Sequence, residues 1–320
     1  MKIYVDPWAA SYDSSFLFNS DEADPDTAEL VEDGDRLVCR DPDPAARPDR
    51  PLAFIDGVRR GDAVLYQEDP ATGDVFRGLG GSHACGAVLV EPRTRPRYGQ
   101  VRVRRLIIWG SGRTGELPPL SGGWRWDSLS VPGSKPEAPL VGLQTQMRAA
   151  EQDLAREYFE DGYLTVLDGP LSRLRSLDGV HVVGYVKTHR TMHLSVDAHR
   201  RVPSLGAGQR TSLFRIGDER LSCYLRLAER GPTMPPWAGI VRLEMPASAG
   251  LGTAAAQADV LAVALLRFAG VAHRDPRAPQ NLQPVGALEK HLRALLGPSG
   301  LATRAIRESV AYLAARQGAA

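Results

Sequence analysis

The chain has 320 residues, 43% of them hydrophobic, enough to bury one large core or two modest ones. Its 39 Lys and Arg nearly balance 38 Asp and Glu. That balance excludes a global basic field, so any nucleic-acid surface has to be a local patch. Cys39, Cys85 and Cys223 are scattered and make no CxxC or zinc spacing, which argues against a disulfide framework and for a reducing cytoplasm. Residues 1–7 lack the apolar core of a signal peptide. The most apolar stretch, residues 260–271, is too short to span a bilayer and contains Arg267. The expected localisation is cytoplasmic, with no membrane partner.

Residues 19–50 are rich in Asp, Pro and Arg and read as an irregular N-terminal segment, 1–50, with one short helix near Thr27-Ala28-Glu29-Leu30. Apolar runs predict strands over 51–60, about 84–91 and 100–110. The Gly, Pro and Ser of 111–138 predict a loop or flap. A helix follows over 139–160, then strands over 163–168 and 180–187. Two hairpin-like strands, about 211–228 and 238–245, precede helices near 253–269, 284–297 and 300–317. This order predicts an α/β fold, a mixed sheet with helices on its faces. Residues 51–300 would form the main domain and 301–320 a C-terminal helix.

Two of the apolar runs end in the same dipeptide: Pro51-Leu52-Ala53-Phe54-Ile55-Asp56-Gly57 and Tyr163-Leu164-Thr165-Val166-Leu167-Asp168-Gly169. Asp-Gly is also a common turn signal, because Gly accepts positive φ. It recurs at Asp33-Gly34, Asp161-Gly162 and Asp178-Gly179, which read as plain turns. Asp56 and Asp168 differ in standing at or near the end of what should be buried strands. A charge there needs a partner, and a metal ion is the natural candidate.

In the 139–160 helix, Leu143, Met147, Ala150, Leu154 and Tyr158 define a buried stripe. Glu151 flanks it on one side and Glu157 on the other, and the wheel does not choose between them. In the 284–297 helix, His291 lies three residues after Leu288 and four before Leu295, which puts it on the apolar side as a core residue or a ligand. Lys187 ends its strand and either holds a phosphate or is solvated. His189 and His193 share helical spacing but fall in a loop, so no metal is assigned to them. Arg93, Arg95, Arg97, Arg102, Arg104 and Arg105 form the densest basic segment. Arg102 and Arg104 share a strand face, a stripe that either tracks a nucleic-acid backbone or is simply exposed.

The order strand-Asp, two strands, helix-Glu, strand-Asp-Gly and late helix resembles the RNase H-like nuclease superfamily. Within it the chain resembles the NurA-domain nucleases. The resemblance is carried by Ala53-Phe54-Ile55-Asp56-Gly57 and Val166-Leu167-Asp168-Gly169-Pro170-Leu171. Supporting segments are Val183-Gly184-Tyr185-Val186-Lys187, Val241-Arg242-Leu243-Glu244-Met245-Pro246 and the run from Gln283-Pro284 to His291. It spans roughly residues 50–300, with an RNase H-like core at about 51–190, an inserted β-hairpin region and a C-terminal helical segment.

The resemblance implies that Asp56, Glu151, Asp168 and His291 are the catalytic, metal-binding set, choosing Glu151 over Glu157. It places Gln283 where the family has a tyrosine and Lys290 where a small residue precedes the histidine. Lys187, Arg59 and Gln283 would face substrate phosphate. Hard carboxylate oxygens suit Mg²⁺ or Mn²⁺, and an imidazole shifts the preference toward Mn²⁺. Two ions, with Asp56 bridging, would activate a water and stabilise the leaving 3′-oxygen. The implied activity is single-strand endonuclease and 5′-to-3′ exonuclease on DNA, by a homodimer working with a HerA-type hexameric ATPase in end resection. Gln283 motivates a second reading, a NurA-like scaffold that binds DNA or the ATPase without cutting. A haloacid-dehalogenase-type phosphatase would need a second Asp two residues after Asp168, where this chain has Pro170.

Overall fold

Three long antiparallel strands organise the molecule, seen in a computed structural model. They are β4 (Leu52–Glu68), β5 (Val75–Val90) and β6 (Arg97–Trp109). The structure describes residues 2–5, 28–119, 121–171, 182–187, 189, 192–230, 234, 236–271, 273–274 and 277–318. The expected turn at Asp178-Gly179 and the first residues of the 180–187 strand lie outside these. Ahead of the meander come β1 (Lys2–Val5), β2 (Glu29–Leu30) and β3 (Cys39–Arg40).

After the meander, β7 (Asp127–Ser130) pairs parallel to β6. Helix α1 (Ala138–Glu160) then crosses to β8 (Leu164–Asp168), which runs parallel to β4, and β9 (Val182–Val186) runs parallel to β8. The order β6-β5-β4-β8-β9 is an RNase H-like mixed sheet, with β5 alone running against its neighbours. Beyond β9, helix α2 (Val196–Arg201) precedes β10 (Arg210–Thr211), β11 (Phe214–Ile216), β12 (Arg220–Arg226) and β13 (Ile240–Pro246). These extend one continuous 13-stranded sheet. Helices α3 (Leu251–Ala264), α4 (Gln283–Leu295) and α5 (Ser299–Gly318) complete the chain.

Strand alternation sorts β4 between two cores. Leu52, Phe54 and Val58 pack with Leu261 of α3 and Leu288 and Leu292 of α4. Ala53 and Ile55 pack on the opposite face with Leu154 and Tyr158 of α1. Helix α1 starts with a proline in its first turn, where no intrahelical N–H is lost, and lays Leu143, Met147, Leu154 and Tyr158 on the sheet.

Several expectations change, among them the strand expected from about residue 84, which begins at Val75. The short helix near Thr27–Leu30 is instead strand in its described part. Glu29 and Leu30 pair with Arg215 and Phe214, and Cys39–Arg40 pairs with β10, because the sheet edge supplies hydrogen bonds that an isolated turn of helix cannot match. The strand expected to stop at residue 60 runs to Glu68, so Asp56 is interior to β4 rather than at its end. The charged stretch that suggested an end is satisfied within the sheet. Asp62 accepts from Arg60 Nε and Ser82 Oγ, each at 2.6 Å, beside a β-bulge between Gly61 and Ala63. Asp168 does end its strand, and Gly169 turns away with φ of 124°. The loop expected over 111–138 also holds β7. The three cysteines are free, and no helix of the described residues is long and apolar enough to cross a membrane.

Candidate metal centre

The register of β4 with β8 ends at Ile55 opposite Leu167, which sets Asp56 beside Asp168 on the next step. Both have even-numbered neighbours, Phe54 and Val166, in the core shared with α3 and α4, so both carboxylates face that side of the sheet. There they meet Glu289 of α4. Asp56, Asp168 and Glu289 each bring a carboxylate oxygen to a group whose members all lie within 4.8 Å of one another. Asp56 is 6% exposed, and its Oδ2 is buried with no hydrogen-bond partner among the described residues.

Glu151 approaches from the opposite face. It is buried on α1 directly beneath Gly57, where any Cβ would collide with its Oε1. Gly57 is thus required for close approach and not for a turn; its backbone is ordinary strand. Glu157 points outward and pairs with Arg102, so burial separates the two glutamates that the wheel left equal. Neither Glu151 nor His291 belongs to the 4.8 Å group.

The electrostatics are those of crowded, dry acids. Burial, then Asp168 and Glu151, push the Asp56 carboxyl well above the usual carboxylate range, against a smaller pull from Lys187. Burial and the Asp168 charge raise Glu151 to about 8. Burial raises Asp168 as well, opposed by Lys187. Such groups shed this strain by taking up protons or a cation.

Three cations already border the site. Lys187, two residues beyond Tyr185 and so on the same strand face, donates to Asp168 Oδ2 at 2.6 Å and to Asn281 Oδ1 at 2.9 Å. It is half-buried and a direct neighbour of the acids. Arg277 grips Glu289 with two parallel bonds of 2.9 Å, and Arg293 approaches the same carboxylate at 3.4 Å.

The other expected residues sit farther out. His291 stacks face to face on Tyr98, ring centroids 4.1 Å apart. Leu295, expected on the apolar side with this histidine, is 42% exposed. Val285, Leu288, Leu292 and Leu296 are the buried residues, and Glu289 flanks them on the side that reaches Asp56. Glu289 flanks that stripe more closely than His291 does, but a Glu on a helix flank is ordinarily solvated, so the sequence pattern does not mark it. Gln283 is exposed and donates to the Ala269 carbonyl at 3.0 Å. Arg59 donates to Gln144 of α1. In the arginine stripe, Arg102 pairs with Glu157 and Arg104 with Asp127 at 2.8 Å. His189 bonds the Ile240 carbonyl at 3.0 Å, and His193 is buried away from the acids.

An all-oxygen donor set with an orphaned carboxylate oxygen fits Mg²⁺ or Mn²⁺. Asp56, Asp168 and Glu289 could hold such an ion on one face, with Glu151 close behind Gly57.

No curated protein matches the chain. The crystal structure of the NurA nuclease from Sulfolobus solfataricus is similar at 11% identity and a TM-score of 0.45, covering 85% of each chain. A comparison with protein families matches residues 42–285 to the NurA domain, a span that holds the meander, α1, both strand aspartates and the inserted hairpins. On that match the chain belongs to the NurA domain family.

Proposed function

We propose that the chain is a divalent-metal-dependent deoxyribonuclease. Membership of the NurA domain family supports a nuclease reading. The observation that carries the reading is the group of three carboxylates within 4.8 Å, containing a buried Asp56 oxygen with no partner. Buried acids held together this way are costly unless they serve a cation.

When bound, Mn²⁺ or Mg²⁺, as two ions, would supply an activated water and stabilise the leaving oxygen of a phosphodiester. The chain's own residues then divide the work. Asp56 and Asp168 hold the cation from adjacent strands, so backbone pairing fixes their separation. Glu151 adds charge from below Gly57. Lys187 orients Asp168 and lowers the site's net charge, which eases the approach of a phosphate. His291, standing on Tyr98 outside the acid group, enters as a residue on the substrate side, with Arg59 and Gln283 nearer the surface.

The family resemblance supports the finer reading: single-strand endonuclease and 5′-to-3′ exonuclease on DNA, a homodimer, and work beside a HerA-type hexameric ATPase in end resection of double-strand breaks. Incubating the purified chain with end-labelled single-stranded DNA tests the core of it. Cleavage is expected with Mn²⁺ and none with EDTA. Full activity in Asp56→Asn or Asp168→Asn would overturn the site. A folded wild-type chain that binds DNA and never cuts it would be the scaffold that Gln283 suggests.

A further inference from the structure

We propose that Glu289 is itself a ligand of the divalent cation, so that α4 contributes a carboxylate to the site from two residues before His291. The inference rests on the reading of Asp56 and Asp168 as metal ligands and adds a residue that the sequence pattern did not supply.

Four observations converge on it. Glu289 is 6% exposed, and its carboxylate belongs to the same 4.8 Å group as Asp56 and Asp168. The helix that carries it is fixed, because Val285, Leu288 and Leu292 are buried in the core that also holds Phe54 and Val166. Asp56 Oδ2, buried and without a partner, belongs to a side chain of that same group. Finally, Arg277 and Arg293 hold Glu289 without exhausting it. A carboxylate offers about four lone pairs, and the two parallel Arg277 bonds with the longer Arg293 bond occupy three of them.

A purely structural Arg277–Glu289 pair explains less. The Arg277 side chain is 51% exposed, so its carboxylate partner could have stood at the surface at little cost. Instead the partner is buried against two other acids, where like charges oppose it. A cation among the three removes that opposition. The arginine clamp then fixes the carboxylate's orientation, as outer-shell partners do for metal-ligating groups.

Calorimetric titration of the EDTA-stripped full chain with Mn²⁺ tests this, alongside the Mn²⁺-induced shift in melting temperature within each variant. Glu289→Gln should weaken Mn²⁺ binding about tenfold or more. Glu289→Asp, which keeps the charge on a shorter arm, should weaken it less and serves if the Gln variant does not fold. Arg104→Gln, which breaks only an exposed pair with Asp127, should leave Mn²⁺ binding unchanged. Wild-type affinity in folded Glu289→Gln, together with lost binding in Asp56→Asn, would overturn the role of Glu289 and leave the site reading intact. Absence of Mn²⁺ and Mg²⁺ binding in the wild type would overturn both.

Discussion

Two buried charged clusters stand on the same sheet and differ in one respect. Around Arg210, which is 1% exposed, every charge is answered: Glu32 accepts from its guanidinium at 2.7 and 2.9 Å, Asp259 accepts at 2.5 Å, and Leu213 N–H donates to Glu32 at 2.8 Å. Burial opposes ionisation of Glu32, but these partners outweigh it and hold its carboxyl below the usual range. Around Asp56 the balance is reversed. Carboxylates crowd one another, Asp56 Oδ2 has no partner among the described residues, and burial raises the carboxyls of Asp56, Glu151 and Asp168. Burial of charge is common to both; only the second has a deficit that a ligand can fill. The first is architecture tying residues 32 and 210–213 to α3, and the second is the proposed site.

Removing a charge from each cluster should therefore break different properties. Asp168→Asn is expected to lower Mn²⁺-dependent DNA cleavage on the order of 10³-fold, about 4 kcal/mol in the transition state, while circular dichroism stays that of the folded chain. Arg210→Met is expected to do the reverse. It should lose about 3–5 kcal/mol of stability, because Glu32 and Asp259 are left facing a dry interior, yet retain cleavage where it is folded. If Arg210→Met proves neutral in urea unfolding, the contrast between the clusters fails.

The pH dependence of stability separates them further. Glu151 titrates near 8 in the fold and near its ordinary 4.5 when unfolded. Between those values the native chain holds a proton that the unfolded chain has released. Stability of the EDTA-treated protein should thus fall as pH rises from about 4.5 to 8, with a slope near 1.4 kcal/mol per pH unit for one proton. Glu151→Gln should flatten that slope, and Mn²⁺, which favours the ionised acids, should oppose it.

A smaller effect of opposite sign is expected at His83, buried in β5 with neither ring nitrogen partnered and pushed down to about 4 by burial and by Arg104. Here the unfolded chain gains the proton first, so stability should fall as pH drops from about 6.5 toward 4; His83→Phe should remove that acid limb. Smallest of all, Arg104→Gln breaks an exposed pair with Asp127 and should change stability by less than about 1 kcal/mol.

Much of this was legible in the order of residues. Apolar runs and their breakers located α1, β8 and the three C-terminal helices to within a few positions, and marked the meander while cutting β4 and β5 short by eight or nine residues. The Asp-Gly pairs marked both strand aspartates. Less visible were elements held by partners distant in the chain. Glu29–Leu30 becomes strand only because β11 lies beside it, and β4 continues past Arg59-Arg60 only because Ser82 and Arg60 satisfy Asp62. Gly57 read as half of a turn signal, whereas its missing Cβ makes room for Glu151.

By itself, then, the sequence determined the strand-helix order, the placement of Asp56 and Asp168 on buried runs, and a helical acid on α1, because these follow from local periodicity. Tertiary structure decided which charges meet. Parallel pairing of β4 with β8 set the two aspartates side by side, and burial separated Glu151 from Glu157. The rotation of α4 on the sheet turned Glu289 inward and stood His291 on Tyr98. Facing across a sheet depends on packing between elements, and helix periodicity carries no information about it.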